Sequence, residues 1–429
     1  MLRRAVPWLV LLLCAGSSLG QEAMDSYGGW RRVHAAATGR FRVAKRDGRW
    51  WFIDPDGNAF LSLGVNSVSL SPEAAAPEAG RYRETVLRKY GDRQDWAAEA
   101  VRRLKAWGFN TVGVGSDGLV GRQGMPYTAT LDLTGRLDGE GGQVFPDVFS
   151  PAFAREAEAR ARRNARALAG DRLLLGYFTD DGAAWAAPAE DLFVSFLRLD
   201  EFAPGRIALL KFLEDRYLQI EQLDEAWGAE YGSFAEIGRV PQVGAAIPKD
   251  DHDDFQRLVA EQYFTLAQSA VRSVDETHLL LGPRFSALPP APVLQAMRGH
   301  VNVVCFASHE GRPPVAALRE AYRLTQCPIL LSKFGGGLGQ AKDREGSAET
   351  QKERGQRYAR YLHEALALPM VIGCHWQAYA DPAEGAELGL VNLDDEPYQE
   401  FVASVMAANQ QAYARHLGGK ALRPPNVAQ

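Results

Sequence analysis

The chain has 429 residues, of which 46% are hydrophobic and 24% charged, values that suit a folded protein with a large core and count against disorder. Its formal net charge of -5 offers no extended cationic field for a phosphate backbone, so nucleic acid is not an expected partner. One large domain suffices for this length, because barrels of alternating strands and helices reach it with insertions.

The amino terminus carries Arg3 and Arg4, an apolar run over residues 6–14, and the small residues Ser17, Ser18 and Gly20. That order predicts a cleavable secretory signal over 1–20 and a secreted or periplasmic protein, the run being too short to span a bilayer. A short membrane anchor is the alternative. Cys14 follows Leu13 rather than a small residue, which makes a poor lipoprotein site. Cys305, Cys327 and Cys374 remain beyond the signal; each sits in an apolar run, so buried thiols are expected rather than a disulfide framework. Their spacing fits no zinc pattern.

Residues 41–48 and 49–57 read as two short strands, each closed by a turn, that form a hairpin at the entrance to the main domain. Strands are then expected at 59–66, 110–115, 127–133, 173–179, 278–282, 301–306, 328–332 and 370–376, with helical patterns such as 96–107, 153–168 and 349–366 between them. Eight strands close a barrel, so the expectation is an α/β (β/α)8 fold over 21–417, with a helical insertion at about 186–274 after the fourth strand and a loose tail at 418–429.

In such a barrel the carboxyl ends of the strands converge on one pocket. The fourth strand ends Thr179-Asp-Asp-Gly182, the seventh Leu331-Ser-Lys-Phe334, and the eighth Gly373-Cys-His-Trp-Gln-Ala-Tyr379. With the hairpin motif Trp50-Trp-Phe-Ile-Asp-Pro-Asp-Gly57, the runs Phe60-Leu-Ser-Leu-Gly-Val-Asn66, Leu223-Asp-Glu-Ala-Trp227, Leu281-Gly-Pro-Arg-Phe285 and Leu388-Gly-Leu-Val391, and Pro397-Tyr398, the chain resembles the clan of retaining (β/α)8-barrel glycosidases. Within it, the likeness is to the β-galactosidase-like and agarase-like branch.

The resemblance implies Asn-Glu at the end of the fourth strand, the Glu acting as acid/base, and a nucleophilic Glu on the seventh. Here those positions hold Asp181, Gly182 and Lys333. Retaining hydrolysis needs two carboxyl groups about 5–5.5 Å apart, and an ammonium at the nucleophile position opposes an oxocarbenium-like transition state. The resulting expectation is a pseudoenzyme that binds oligo- or polysaccharide. Two alternatives stay open: hydrolysis by relocated carboxylates, Asp180 or Asp181 foremost, with Glu310, Asp381, Glu384 and Glu387 on neighbouring loops; or a structural barrel with a vestigial cleft. Lys333 is expected to pair with Asp180 or Asp181, and a pocket lysine suits an anionic sugar.

Sugar rings need aromatic faces, for which Trp185, Trp376 and Tyr379 are candidates, Trp376 foremost because it ends a strand. Asn66, Arg284, His309, Glu310, His375 and Gln377 are candidate hydroxyl partners, although His375, on the opposite face from Trp376, also suits a packed histidine. No cofactor and no metal are expected. Gly113-Val-Gly-Ser-Asp-Gly118 matches a dinucleotide fingerprint but opens no helix, and Asp250-Asp-His-Asp-Asp254 suits a solvated helix start better than a metal site.

Overall fold

The computed structural model describes residues 24–71, 79–135, 145–182, 185, 189–238, 246–335 and 350–418. The expected signal at 1–20 therefore lies outside the described residues, as does most of the tail. Four short strands come first: β1 (Trp30–His34), β2 (Arg42–Arg46), β3 (Arg49–Ile53) and β4 (Asn58–Phe60). They pair antiparallel in the order β1-β4-β3-β2. The expected hairpin is the β2–β3 edge of this sheet. Asp47 and Gly48 form its two-residue turn, both at positive φ (50° and 79°), the geometry that follows the right-handed twist of the strands.

The strand anticipated over 59–66 is divided at Leu61, whose N–H donates to the Tyr413 hydroxyl at 3.1 Å. Beyond it, β5 (Ser62–Val65) enters the barrel, followed by α1 (Ala79–Tyr90), α2 (Arg93–Ala106), β6 (Thr111–Val112), α3 (Gly118–Gly121), β7 (Tyr127–Thr130), α4 (Pro151–Ala165) and β8 (Leu174–Asp181). Between β8 and the next strand come α5 (Ala189–Leu197), α6 (Pro204–Tyr217), α7 (Ile220–Trp227) and α8 (Lys249–Arg272). The chain then alternates again through β9 (Leu279–Phe285), α9 (Ala291–Met297), β10 (Val304–Ser308), α10 (Val315–Thr325), β11 (Ile329–Phe334), α11 (Gln351–Leu366), β12 (Val371–Trp376) and α12 (Gln399–His416). Strands β5 to β12 are parallel and close on themselves, β12 against β5, which makes a (β/α)8 barrel.

Local chemistry explains the helix starts. Ser150 caps α4 by accepting from Phe153 N–H, with Pro151 at the first helical position, and Thr350 and Glu353 form a capping box on α11. Inside the barrel, Leu175, Phe178, Leu279, Leu281, Val303, Cys305, Leu330 and Ile372 form one apolar cluster with Phe41, Phe52 and Phe60 from the antiparallel sheet. The sheet therefore plugs the amino-terminal end of the barrel and leaves the carboxyl end to the polar residues. A second, larger cluster lies between the strands and the helices.

Candidate active site at the barrel mouth

At the end of β8 the two aspartates take different partners. Asp180 is buried; one oxygen accepts from the Thr134 N–H (2.8 Å) and hydroxyl (2.7 Å), and the other from the Tyr263 hydroxyl. Burial pushes its carboxyl up to about 6, against those hydrogen bonds. Asp181 accepts a two-pronged ion pair from Arg284 on β9, with Nε and Nη2 each at 2.6 Å. Arg284 thus engages one of these carboxylates, and Thr134 with Tyr263 the other.

Gly182 follows Asp181 at φ +76°, its N–H donating to Arg284 O at 3.1 Å, and a Cβ built on it would meet nothing within 4 Å. Across the barrel, the register between β11 and β12 shifts between Leu331 and Phe334. Phe334 packs outward on Tyr361 and Tyr358, which by strand alternation turns Lys333 to the inner side. His309 follows β10 and is held below its ordinary value by partial burial first, then by Lys333 and Arg284. Both it and Glu310 are exposed.

The inner wall continues with Asn66, whose amide is already used: Nδ2 donates to Ser332 O at 2.8 Å and Oδ1 accepts from Val114 N–H at 3.0 Å. This amide is a seam between β5, β11 and the chain after β6. A Cβ at Gly113 would sit 2.1 Å from Asn66 Oδ1, which accounts for the first glycine of the apparent dinucleotide fingerprint. His375 also points inward and is fully buried, Nε2 lying 2.8 Å from Ser62 Oγ, which donates to Thr111 Oγ1 at 2.9 Å. Burial pushes its imidazole down to about 3, so it stays neutral. Ser332 Oγ, His375 Nδ1 and Gln377 Nε2 are buried without hydrogen-bond partners among the described residues. Unsatisfied groups grouped on two adjacent strands mark a place where the wall expects other polar partners.

The remaining carboxylates of the loop after β12 are committed. Asp381 is buried and accepts from Leu388 N–H (2.8 Å), Gly389 N–H (2.7 Å) and the Tyr398 hydroxyl (2.6 Å). Glu384 pairs with Arg81 at 2.8 Å, and Glu387 accepts from Gln351 Nε2 at 2.8 Å.

No protein-family model matches the chain. It is 23% identical to β-agarase B of Vibrio sp. (strain JT0107) over 478 residues, covering 90% of this chain and 50% of that one. With β-agarase A of the same strain it shares 26% identity over 436 residues, covering 82% and 43%. The chain therefore spans about half the length of these relatives. Among solved structures, an exo-β-agarase superposes with a TM-score of 0.81 at 24% identity, over 93% of this chain and 68% of that one. The chain has a glycoside hydrolase fold.

Within that fold the three aromatics singled out as sugar platforms lie elsewhere. Trp376 is fully buried on the outer side of β12, against Phe334, Tyr358 and Phe401, with Nε1 donating to Leu388 O at 3.1 Å. Gly335 covers it so closely that a Cβ there would lie 2.3 Å from the indole. Tyr379 is buried beside Trp107 and Arg103. Trp185 is 2% exposed, stacked on Phe264 and edge-on to Phe145. All three are core residues. Conversely, Thr134, Tyr263 and Ser332 belong to the site and carry no local sequence signal, since each acts through a contact made far along the chain.

The run at 250–254 is a helix start, but not a wholly solvated one as expected: Asp251 and His252 are buried, Asp251 accepting from Trp227 Nε1 and the Tyr217 hydroxyl, both at 2.7 Å, while Asp254 pairs with Arg216 at 2.6 Å. Among the described residues no cluster of three metal-ligating side chains occurs, and no helix is long and apolar enough to cross a membrane. A cavity of about 880 Å3 lies at the opposite end of the barrel, lined by Met24, Trp30, Trp107, Asn110, Pro126 and Tyr413. It is remote from the convergent polar groups of the mouth.

Proposed function

We propose that this chain binds galactan oligo- or polysaccharide across the mouth of its glycosidase-fold barrel and does not hydrolyse it. The observation that carries this reading is the chemistry of two strand ends, Asp180-Asp181-Gly182 closing β8 and Lys333 on β11. By resemblance to the retaining barrel glycosidases, Gly182 occupies the acid/base position and Lys333 the nucleophile position. Glycine can neither donate a proton nor attack. Lysine would place a cation near a carbon that gains positive charge in the transition state. The two relatives named as β-agarases motivate galactan as the ligand class.

One observation favours retained hydrolysis: Asp180, pushed up to about 6, has the pKa of a general acid. Its burial argues against that role. At 2% exposure, and with both oxygens accepting from Thr134 and Tyr263, it reaches substrate only if α8 parts from the loop that carries Thr134. Asp181 is similarly closed by Arg284. Arg284, His309, Glu310 and Gln377 are the remaining candidates for sugar contacts.

The test is paired. Purified protein should migrate more slowly through agarose-containing native gels than through plain ones, while releasing no reducing sugar from agarose or aryl β-galactosides. Turnover near the ordinary enzymatic rate of about 10 per second would overturn the proposal. Export belongs to the same reading, residues 1–20 acting as the signal; mass spectrometry of the secreted protein should find an amino terminus at Gln21.

A further inference from the structure

We infer that the exposed face of α6 is a self-association surface, on which a second copy of this chain docks antiparallel about a two-fold axis. This goes beyond the carbohydrate-binding reading and does not depend on it. Among the described residues the large hydrophobic side chains left exposed are Phe202, Ile207 and Leu218, at 78%, 53% and 77%. Scattered singly, such residues mean little; here all three fall on one helix and its two flanks, in the insertion between β8 and β9. Leu218 also closes α6 at φ 63°, a conformation that a bulky side chain rarely adopts, and the single chain buries little of that side chain in return.

The opposite face fixes α6 in place. Gly205, Arg206, Leu209 and Leu213 are buried, Arg206 donating to Ile237 O at 2.7 Å, and at the far end the Tyr217 hydroxyl donates to buried Asp251 on α8 at 2.7 Å. The outer face is therefore an anchored surface about 20 Å long. Its exposed stripe reads Ile207, Lys211, Glu214 and Leu218, spaced four, three and four residues apart, the spacing of a seam between paired helices. With two copies antiparallel and the axis midway between positions 212 and 213, Ile207 meets the partner's Leu218 and Lys211 meets the partner's Glu214, each contact occurring twice. A parallel alignment would instead set Lys211 against the partner's Lys211 and Glu214 against the partner's Glu214, opposing like charges. Asp215 pairs with Lys211 within the chain and flanks the stripe, so each ammonium lies between its own Asp215 and the partner's Glu214. Arg216 is committed to Asp251 and Asp254 and takes no part.

Sedimentation velocity on the full chain tests this. One helix face of this size suits a weak dimer, so a dissociation constant of about 1–50 μM is expected, read from dilutions between about 1 and about 200 μM. Ile207→Gln combined with Leu218→Gln should weaken association at least about tenfold, with thermal unfolding in dilute solution as in the native chain, because neither side chain is packed within it. Lys211→Glu should also weaken association about tenfold, and the exchange Lys211→Glu with Glu214→Lys should return it to within about threefold of the native value, since the antiparallel register then opposes unlike charges again. A protein that keeps the mass of a single chain up to about 200 μM overturns the inference. A dimer that survives the paired glutamines overturns it as well, and so does an exchange variant that associates no better than Lys211→Glu alone. Sugar binding is measured separately, so either reading can fail without the other.

Discussion

The barrel is finished in opposite ways at its two ends. At the amino-terminal end, Phe41, Phe52 and Phe60 leave the antiparallel sheet and stack into the interior against Leu175, Leu330 and Ile372, all fully buried. At the carboxyl end the inner wall is Asn66, Ser332, Lys333, His375 and Gln377, and Ser332 Oγ, His375 Nδ1 and Gln377 Nε2 have no hydrogen-bond partner among the described residues. Both ends are held by the same eight strands. The contrast teaches that substitutions at the base should be read as stability and substitutions at the mouth as binding.

The largest expected effect is at the plug. Phe60→Ala removes a buried ring that contacts Phe41 and Phe52 edge-on, and should destabilise the protein by about 3–5 kcal/mol in denaturant unfolding, with sugar binding by the remaining folded fraction unchanged. A loss below about 1 kcal/mol would break the comparison, because the base would then be no better packed than an exposed surface.

A second prediction concerns pH at the base. Asp54 is fully buried and its carboxyl is pushed up to about 8, by burial first and then by the facing Asp25 carboxyl. The unfolded chain releases this proton near 4 and the folded chain near 8, so between those values the folded state binds more protons and stability from this site falls as pH rises. Asp54→Asn keeps an oxygen for the Asp56 and Asn58 N–H groups, now at 2.9 Å, and supplies an N–H towards Asp25 in place of the proton. The variant should lose that slope and gain on the order of 1–3 kcal/mol above pH 8, read from unfolding midpoints at pH 5 and pH 9. An unchanged slope would show that Asp54 does not hold the proton.

The same contrast separates what was legible from what was not. The eight strands could be found because apolar runs alternate with amphipathic ones, and Gly182 and Lys333 stood out because they interrupt motifs of a familiar kind. The phase of β12 could not be read. Every residue from Val371 to Trp376 is buried, so no alternation of polar and apolar positions says which face meets the barrel axis. His375 proved to be the inward residue and Trp376 the outward one. The partners of Asp180 were equally hidden: Thr134 lies 46 residues before it and Tyr263 83 after it, and only closure of the barrel brings them together. Strand β1 was missed for a simpler reason, since Trp30-Arg-Arg-Val-His34 is mostly exposed and lacks an apolar face.

The smallest effect sharpens the account of the mouth itself. Gly182 sits at φ +76° with open space around the position of a Cβ, so backbone conformation and steric room make separate demands there. Gly182→Ala should cost about 1 kcal/mol, the ordinary penalty for a side chain in the left-handed region, because nothing nearby has to move. A loss above about 3 kcal/mol would mean that the end of β8 is packed more tightly than its surroundings indicate. A carboxylate restored by Gly182→Glu starts from the same penalty. In the pair Gly182→Glu with Lys333→Glu, recovered hydrolysis would show that the strand end bears a side chain at that small cost while the Gly182 N–H to Arg284 O hydrogen bond at 3.1 Å is kept.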